Sequence, residues 1–198
     1  MEQSPSLGGN TKYKILIYVC HRMTGRFQDE LVQEAQYTTR YLENHGFEVL
    51  DPIITEGIKN VHEPLAQLDE ELLRSRWAKD KEQIKNADII LDYMACNKSD
   101  GVAKELGYAR FCLWKPVVRV FPNLGLSISR LEDDVIVDNM TDAVSVIQTR
   151  FGTYDLLRNW RREMWDRCYF KWLEEQIKMN DRYSLTTTAG ATRHLEII

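Results

Sequence analysis

Apolar positions along this chain fall into two spacings that take turns, and the alternation sketches a fold before any motif is considered. Short apolar runs recur as "KILIYVC" (Lys14–Cys20), "FEVLDP", "DIILDYM", "KPVVRVF" and "DDVIVDN". Runs of this length, bounded by turn residues, predict strands, and the unbroken first run predicts one covered on both faces. Between the first two, Phe27, Leu31, Ala35, Thr38 and Leu42 recur at helical spacing, and Gly46 supplies a C-terminal stop. Pro52 ends the second strand. "PLAQLDEELLRSRWAKDKEQIKNA" predicts a charged helix in one or two pieces. Ser99-Asp100-Gly101 offers an N-cap to a helix over Val102–Leu113, and "MTDAVSVIQTRFG" closes the pattern near residue 152. Strands alternating with helices predict an α/β domain over residues 14–152. The expected architecture is a flavodoxin-like (Rossmann-like) five-stranded parallel sheet of order 2-1-3-4-5.

The pattern changes beyond residue 152. Over 153–180, Leu156, Trp160, Met164, Cys168 and Trp172 form an i, i+4 stripe, which Leu157, Trp165, Tyr169 and Leu173 broaden. An aromatic face this wide predicts a helical extension that packs on the domain or on a second subunit. Residues 1–13 read as a flexible leader and 181–198 as a mobile tail.

Composition narrows the setting. The chain has 198 residues with 43% hydrophobic and 28% charged, ordinary for a globular protein. A net charge of −4 gives no basic face for a nucleic-acid polymer. No apolar run is long enough to cross a membrane, and the polar N-terminus lacks the apolar core of a signal peptide. Cys20, Cys96, Cys112 and Cys168 have no metal-binding spacing, and the four histidines are scattered. The expectation is a cytoplasmic protein with reduced thiols, without metal or cofactor.

An open parallel sheet binds ligands beyond the carboxyl ends of its strands, where strand order reverses. Here "HRMTG", "PIITEG", "DYMACNKSDG" and "PNLGLSIS" arrive on that side, and Glu105 begins the helix leaving strand three. Taken alone, a carboxylate at that position is most simply a solvated helix residue. The turn Ser99-Asp100-Gly101 also presents backbone N–H groups suited to an anion. "HRMTGR", with Arg22, Thr24 and Arg26, reads either as a phosphate-binding loop or as a solvated basic one. Neither GxGxxG after strand one nor GxxxxGK[ST] is present, so dinucleotide and P-loop readings lack their motifs.

Four segments in order, "IYVCHRMTG", "GFEVLDP", "DKEQIKNAD" and "GVAKELGYA", with "KPVV" behind them, resemble the nucleoside 2-deoxyribosyltransferase superfamily over roughly residues 14–150. The resemblance implies that Glu105 is the nucleophile that attacks C1′ of a sugar and expels the base. Asp80 matches the aspartate near the base, and Tyr18 matches the strand-one tyrosine whose hydroxyl orients the glutamate or borders the sugar. Deoxyribosyltransferases of free nucleosides carry an aspartate six residues before the nucleophile, where this chain has Ser99. Serine there is similar to the nucleoside 5′-monophosphate N-glycosidase branch, because a hydroxyl beside helix N-terminal amides accepts a phosphate that a carboxylate repels. Ser127 in "GLSISR" matches that branch's serine, which reaches the phosphate in a neighbouring subunit's site. Asp100 stands one position along from the expected sugar-binding carboxylate. Arg22, Thr24 and Gly101 complete the implied cradle, and His21-Arg22 makes a bulkier loop over the base than the Gly-Pro or Gly-Ser of many relatives. The extension after residue 152 has no counterpart in compact members.

The resulting expectation is a homodimer or higher homo-oligomer that hydrolyses the N-glycosidic bond of a nucleoside or deoxynucleoside 5′-monophosphate. Base exchange between free deoxynucleosides, a non-catalytic nucleotide-binding module and an interaction protein built on the Trp-rich helix are the other readings. Neither the base nor the sugar is legible in the sequence.

Overall fold

The computed structural model describes residues 13–23, 26–56, 70–93, 99–121 and 135–168, together with 170, 171, 174, 175 and 178. Five strands, β1 (Leu16–Cys20), β2 (Glu48–Leu50), β3 (Ile89–Asp92), β4 (Val117–Val120) and β5 (Val135–Val137), form one sheet in the order β2-β1-β3-β4-β5. Every pairing is parallel, with Tyr18 opposite Leu50 on one side and Ile90 on the other. The predicted flavodoxin-like topology is therefore the observed one. β1 and β3 are central and almost wholly buried, which explains why their sequences lack polar alternation.

Five helices connect the strands: α1 (Gln28–Asn44), α2 (Pro52–Glu56), α3 (Glu70–Asn86), α4 (Asp100–Gly107) and α5 (Met140–Phe151). Right-handed crossovers put α1 and α5 on one face of the sheet and α3 and α4 on the other. Leu31, Ala35, Thr38 and Leu42 are the buried stripe of α1, as their spacing predicts. Gly46 follows α1 at φ 88°, a conformation in which a side chain is strained. On the α3/α4 face, Tyr18, Cys20, Ile84, Ile90, Leu106 and Ala109 form a continuous core, against which Trp77 and Val102 pack.

Three local details depart from the expected boundaries. The segment "PIITE" is not a loop; it forms α2, with Pro52 at the first helical position, where its missing N–H costs nothing. The helix after β3 begins at Asp100, so Asp100 and Gly101 are helical residues. Ser99 holds the cap position without a side-chain hydrogen bond. That helix also ends its α-helical part at Gly107 and continues as a π-helical turn, Tyr108–Cys112.

The chain divides into two compact units, residues 1–158 and 159–198. The first holds the sheet and ends in helical residues 154–158, beyond the expected boundary near 152. In the second, residues 159–168 are helical, Met164 is buried, and Trp165 and Phe170 are 57% and 60% exposed. Trp172, Tyr169 and Leu173 of the predicted stripe lie outside the described residues. Among the described residues no helix is long and apolar enough to cross a membrane.

Candidate active site

The end of β1 brings a tyrosine and a cysteine to the floor of a cleft. Strand geometry sends Tyr18 and Cys20 to the same face, two residues apart, while Ile17 and Val19 face the opposite way. Tyr18 and Cys20 are both buried against α4. Along α4 and its extension, Val102, Leu106 and Ala109 pack into the same core at helical spacing. That packing carries Glu105 inward on the adjoining edge of the stripe, where solvation alone would have turned it out.

The Tyr18 hydroxyl donates to Glu105 Oε1 at 3.4 Å. The Cys20 thiol also hydrogen-bonds the Glu105 carboxylate. Burial pushes the Glu105 carboxyl up to about 8. The Cys20 bond works against this rise, Asp80 adds to it, the Tyr18 bond opposes it, and Asp92 adds the remainder. The same carboxylates and burial push the Tyr18 and Cys20 protons further out of reach of neutral pH, so both remain donors.

Asp80 reaches this cluster from α3. Trp77, Asp80 and Ile84 recur at i, i+3 and i+7, and Trp77 is seated edge-on against Tyr108 with ring centroids 5.9 Å apart. Anchored by Trp77 and Ile84, α3 has to present Asp80 to the cleft. The walls of the cleft include Tyr18, His21, Ile53, Arg76, Asp80 and Glu105.

Asp92, at the end of β3, borders the same cluster. Burial pushes its carboxyl up, and Arg119, opposite it in the β3–β4 register, offsets part of the rise through an Nε–Oδ2 contact of 2.9 Å. Sequence reading passed over this pair. Its signal was present, since an Asp and an Arg each interrupt an apolar strand, but only the register brings them together.

His21 stands in the loop after β1, as expected, and is buried there in a polar cluster. Its Nε2 meets Asp51 Oδ2 at 2.7 Å and its Nδ1 meets Glu34 Oε1 at 3.1 Å. Burial alone would lower the imidazole, but the hydrogen bonds to Asp51 and Glu34 outweigh it and raise its pKa to about 9. Arg26 closes the cluster on Glu34 Oε2 at 2.6 Å. Asp51 in turn accepts from the Ile53 N–H at 3.0 Å, so the cluster pins α2, whose Pro52 and Ile53 line the cleft. Both nitrogens of His21 are engaged in this clamp, and its contribution to the cleft is a wall.

The structure thus brings Glu105, Asp80 and Tyr18 together, with His21 on the cleft wall. Ser99 and Gly101 stand at the start of α4, where a Cβ built on Gly101 would lie 3.8 Å from Ser99 Oγ. Ser99, Gly101 and the partly buried Arg22 are not among the described lining of the cleft. Asp100 is the first residue of α4. Thr24 and Ser127 lie outside the described residues, as does Cys96. Among the described residues no group of His, Cys, Asp and Glu is arranged to hold a metal ion. Arg76 and Cys20 are site residues that sequence reading missed; nothing in local composition distinguishes them from other helix arginines and core cysteines.

Fold and cleft define an α/β protein of the flavodoxin-like class with an acidic site at the β1/β3 switch point. No protein-family model matches the chain, and no curated protein matches it. Among solved structures, it is similar to a 2-deoxyribosyltransferase from the psychrotolerant bacterium Bacillus psychrosaccharolyticus, at 23% identity over 65% of this chain and 90% of that one, with a TM-score of 0.49. It is also similar to a CMP N-glycosidase of Clostridium botulinum, at 13% identity over 67% of this chain and 97% of that one, with a TM-score of 0.42. A conserved protein from Enterococcus faecalis matches at 13% identity over 70% of this chain and all of that one, with a TM-score of 0.44. The chemistry assigned below rests on the side chains of the cleft.

Proposed function

We propose that this chain hydrolyses the N-glycosidic bond of a nucleoside or deoxynucleoside 5′-monophosphate through a covalent glycosyl-Glu105 intermediate. The observation that carries the reading is a partly buried carboxyl, Glu105, held by Tyr18 and Cys20 in a cleft whose walls also supply Asp80. Two acids facing one cleft suit a displacement at a sugar carbon, with one as nucleophile and the other serving the leaving group.

In the first step a Glu105 oxygen bonds to C1′ as the C1′–N bond breaks, and the electron pair of that bond leaves with the base. Asp80 supplies or guides the proton that the base nitrogen takes up. In the second step water attacks C1′ and gives its proton to Asp80, the ester bond to Glu105 breaks, and the carboxylate is restored. Tyr18 donates to the Glu105 oxygen and fixes the carboxylate plane. Ser99, Asp100 and Gly101 at the start of α4 hold the sugar and its 5′-phosphate, with Arg22, Thr24 and Ser127 completing the phosphate cradle. His21 stiffens the wall against which the base lies. A second copy of the chain supplies Ser127 to the site, which makes the working unit a homo-oligomer. No cofactor enters the chemistry.

The test is chromatography of CMP, dCMP, dAMP, dGMP and their nucleosides after incubation with the full chain, with and without an added acceptor base. Release of free base from a monophosphate, lost in Glu105→Ala, is the expected result. Base exchange on free deoxynucleosides without gain from a 5′-phosphate would identify a transferase. Tight nucleotide binding without turnover, unchanged in Glu105→Gln, would identify a binding module.

A further inference from the structure

The cleft contains a cation that the reaction scheme does not use. Arg76 lies on α3 one helical turn before Asp80 and lines the same cleft as Tyr18, Asp80 and Glu105. Among the described residues Arg76 forms no ion pair and no hydrogen bond. Arg76 is only partly exposed, and a partly desolvated arginine is suited to a planar acceptor pair.

Position decides which part of a nucleotide it meets. α3 runs antiparallel to the strands it connects, so its N-terminal half lies toward the carboxyl edge of the sheet and the mouth of the cleft. Arg76 is therefore about 6 Å further out along the helix than Asp80. With C1′ held at Glu105 and the glycosidic nitrogen serviced by Asp80, the next group outward is the far edge of the base. The phosphate lies on the α4 side, where Ser99 starts the helix.

We propose that Arg76 reads the far edge of the leaving base and makes the site selective for guanine, which carries a carbonyl oxygen there, over adenine and cytosine, which carry an amino group. The inference rests on the glycosidase reading of the cleft. Arg76 donates to the guanine carbonyl oxygen and to the neighbouring nitrogen of the five-membered ring, both acceptors. Adenine and cytosine turn donor hydrogens toward the guanidinium at that edge. When the C1′–N bond breaks, the electron pair it leaves delocalises toward that carbonyl oxygen, so the contact strengthens as the base departs.

The test uses the full chain with Glu105→Gln as a background that does not turn over. Dissociation constants for CMP, GMP, AMP, guanosine and inorganic phosphate are measured by calorimetry, with and without Arg76→Met. Thermal melts of each variant establish that it is folded. The expected result is a roughly 10- to 100-fold loss for GMP and guanosine, with CMP, AMP and phosphate little changed, and a smaller loss in Arg76→Lys, which keeps the charge without the fork. An equal loss on all three monophosphates, with guanosine unaffected, would assign Arg76 to phosphate and overturn the proposal. No loss on any ligand would do the same. A base-selective loss in a protein that cleaves nothing leaves the Arg76 assignment standing and removes the glycosidase reading. Cleavage by wild type with a uniform Arg76 effect does the reverse.

Discussion

Two buried charged clusters lie side by side at the end of β1, and they are built on opposite principles. The clamp of His21, Arg26, Glu34 and Asp51 balances two cations against two carboxylates, each contact between 2.6 and 3.1 Å. Burial there raises Glu34 in principle, but the bonds to His21 and Arg26 more than reverse it and hold its carboxyl down. The cleft cluster of Glu105, Asp80 and Asp92 gathers acids around a tyrosine and a thiol, and its carboxyl is held up at about 8. A balanced buried cluster holds its protons fixed and holds structure. An unbalanced one leaves a proton ready to move, which is what acid–base and nucleophilic work requires.

The comparison breaks first at Glu105. Glu105→Gln should abolish turnover, by about three orders of magnitude or more, while leaving stability unchanged or improved, since an amide carries no ionisation cost at a buried position. Steady-state assays paired with urea unfolding read both halves. A large loss of stability instead would mean that the acid is structural.

The clamp should answer in the opposite sense. His21→Ala leaves Glu34 and Asp51 facing one another without their shared cation, and breaking a buried pair from one side costs about 3–5 kcal/mol. Denaturant unfolding measures this directly. A cost below about 1 kcal/mol would place His21 with exposed pairs and dissolve the distinction drawn here.

pH sharpens the comparison because the two clusters pull together on stability and apart on activity. His21 has a folded pKa of about 9, above its ordinary 6.5. Its contribution is therefore complete below pH 6.5 and lost as pH rises through 9. Glu105, raised from 4.5 to about 8, binds its proton more tightly in the folded chain, so it also makes stability fall between those two values. Glu34, held down, works the other way and loses its contribution as pH falls through its lowered folded value. Melting temperature should peak in the mildly acidic range and decline toward pH 9. The rate at limiting substrate should climb over the same interval, because attack needs the Glu105 carboxylate, which is only about a tenth populated at pH 7 when the pKa is near 8. A rate that falls with pH from 6 to 8 would remove Glu105 from the nucleophile's role.

The smallest expected effect is at Cys20. Its thiol donor helps to hold the Glu105 anion, so Cys20→Ala should move the rising limb of the pH–rate profile upward by about half a unit to one unit, matching a net hydrogen bond of about 0.5–1.5 kcal/mol. Cys20→Ser should restore most of the shift. A mutant with lower rate but an unmoved pH limb would show that Cys20 contributes packing alone.

Much of the fold was legible before the structure, because each strand and helix identified itself through its own period. β1 and β3 read as continuous apolar runs since both faces are covered, and strand order followed from the βα alternation. Glu105 and Tyr18 were legible through their ordered segments, and they stand within hydrogen-bonding distance. The short α2 was missed because Pro52 marks a strand end and a first helical position with the same residue. The loop position of His21 was legible, but its ion pairs were not, because Glu34 comes from α1 and Asp51 from the residue before α2.

By itself the sequence determined the five strands and the longer helices, their parallel order and the two side chains that meet at Tyr18 and Glu105, since these depend on local periodicity and on segments a few residues long. Tertiary structure alone decided the rest. It turned Arg76 into the cleft beside Asp80 through the seating of Trp77, set Cys20 against Glu105, and made His21 a structural cation. The physical reason is that a group's protonation and solvation depend on what surrounds it in space. For these residues the neighbours come from other elements, so no spacing along the chain could reveal them.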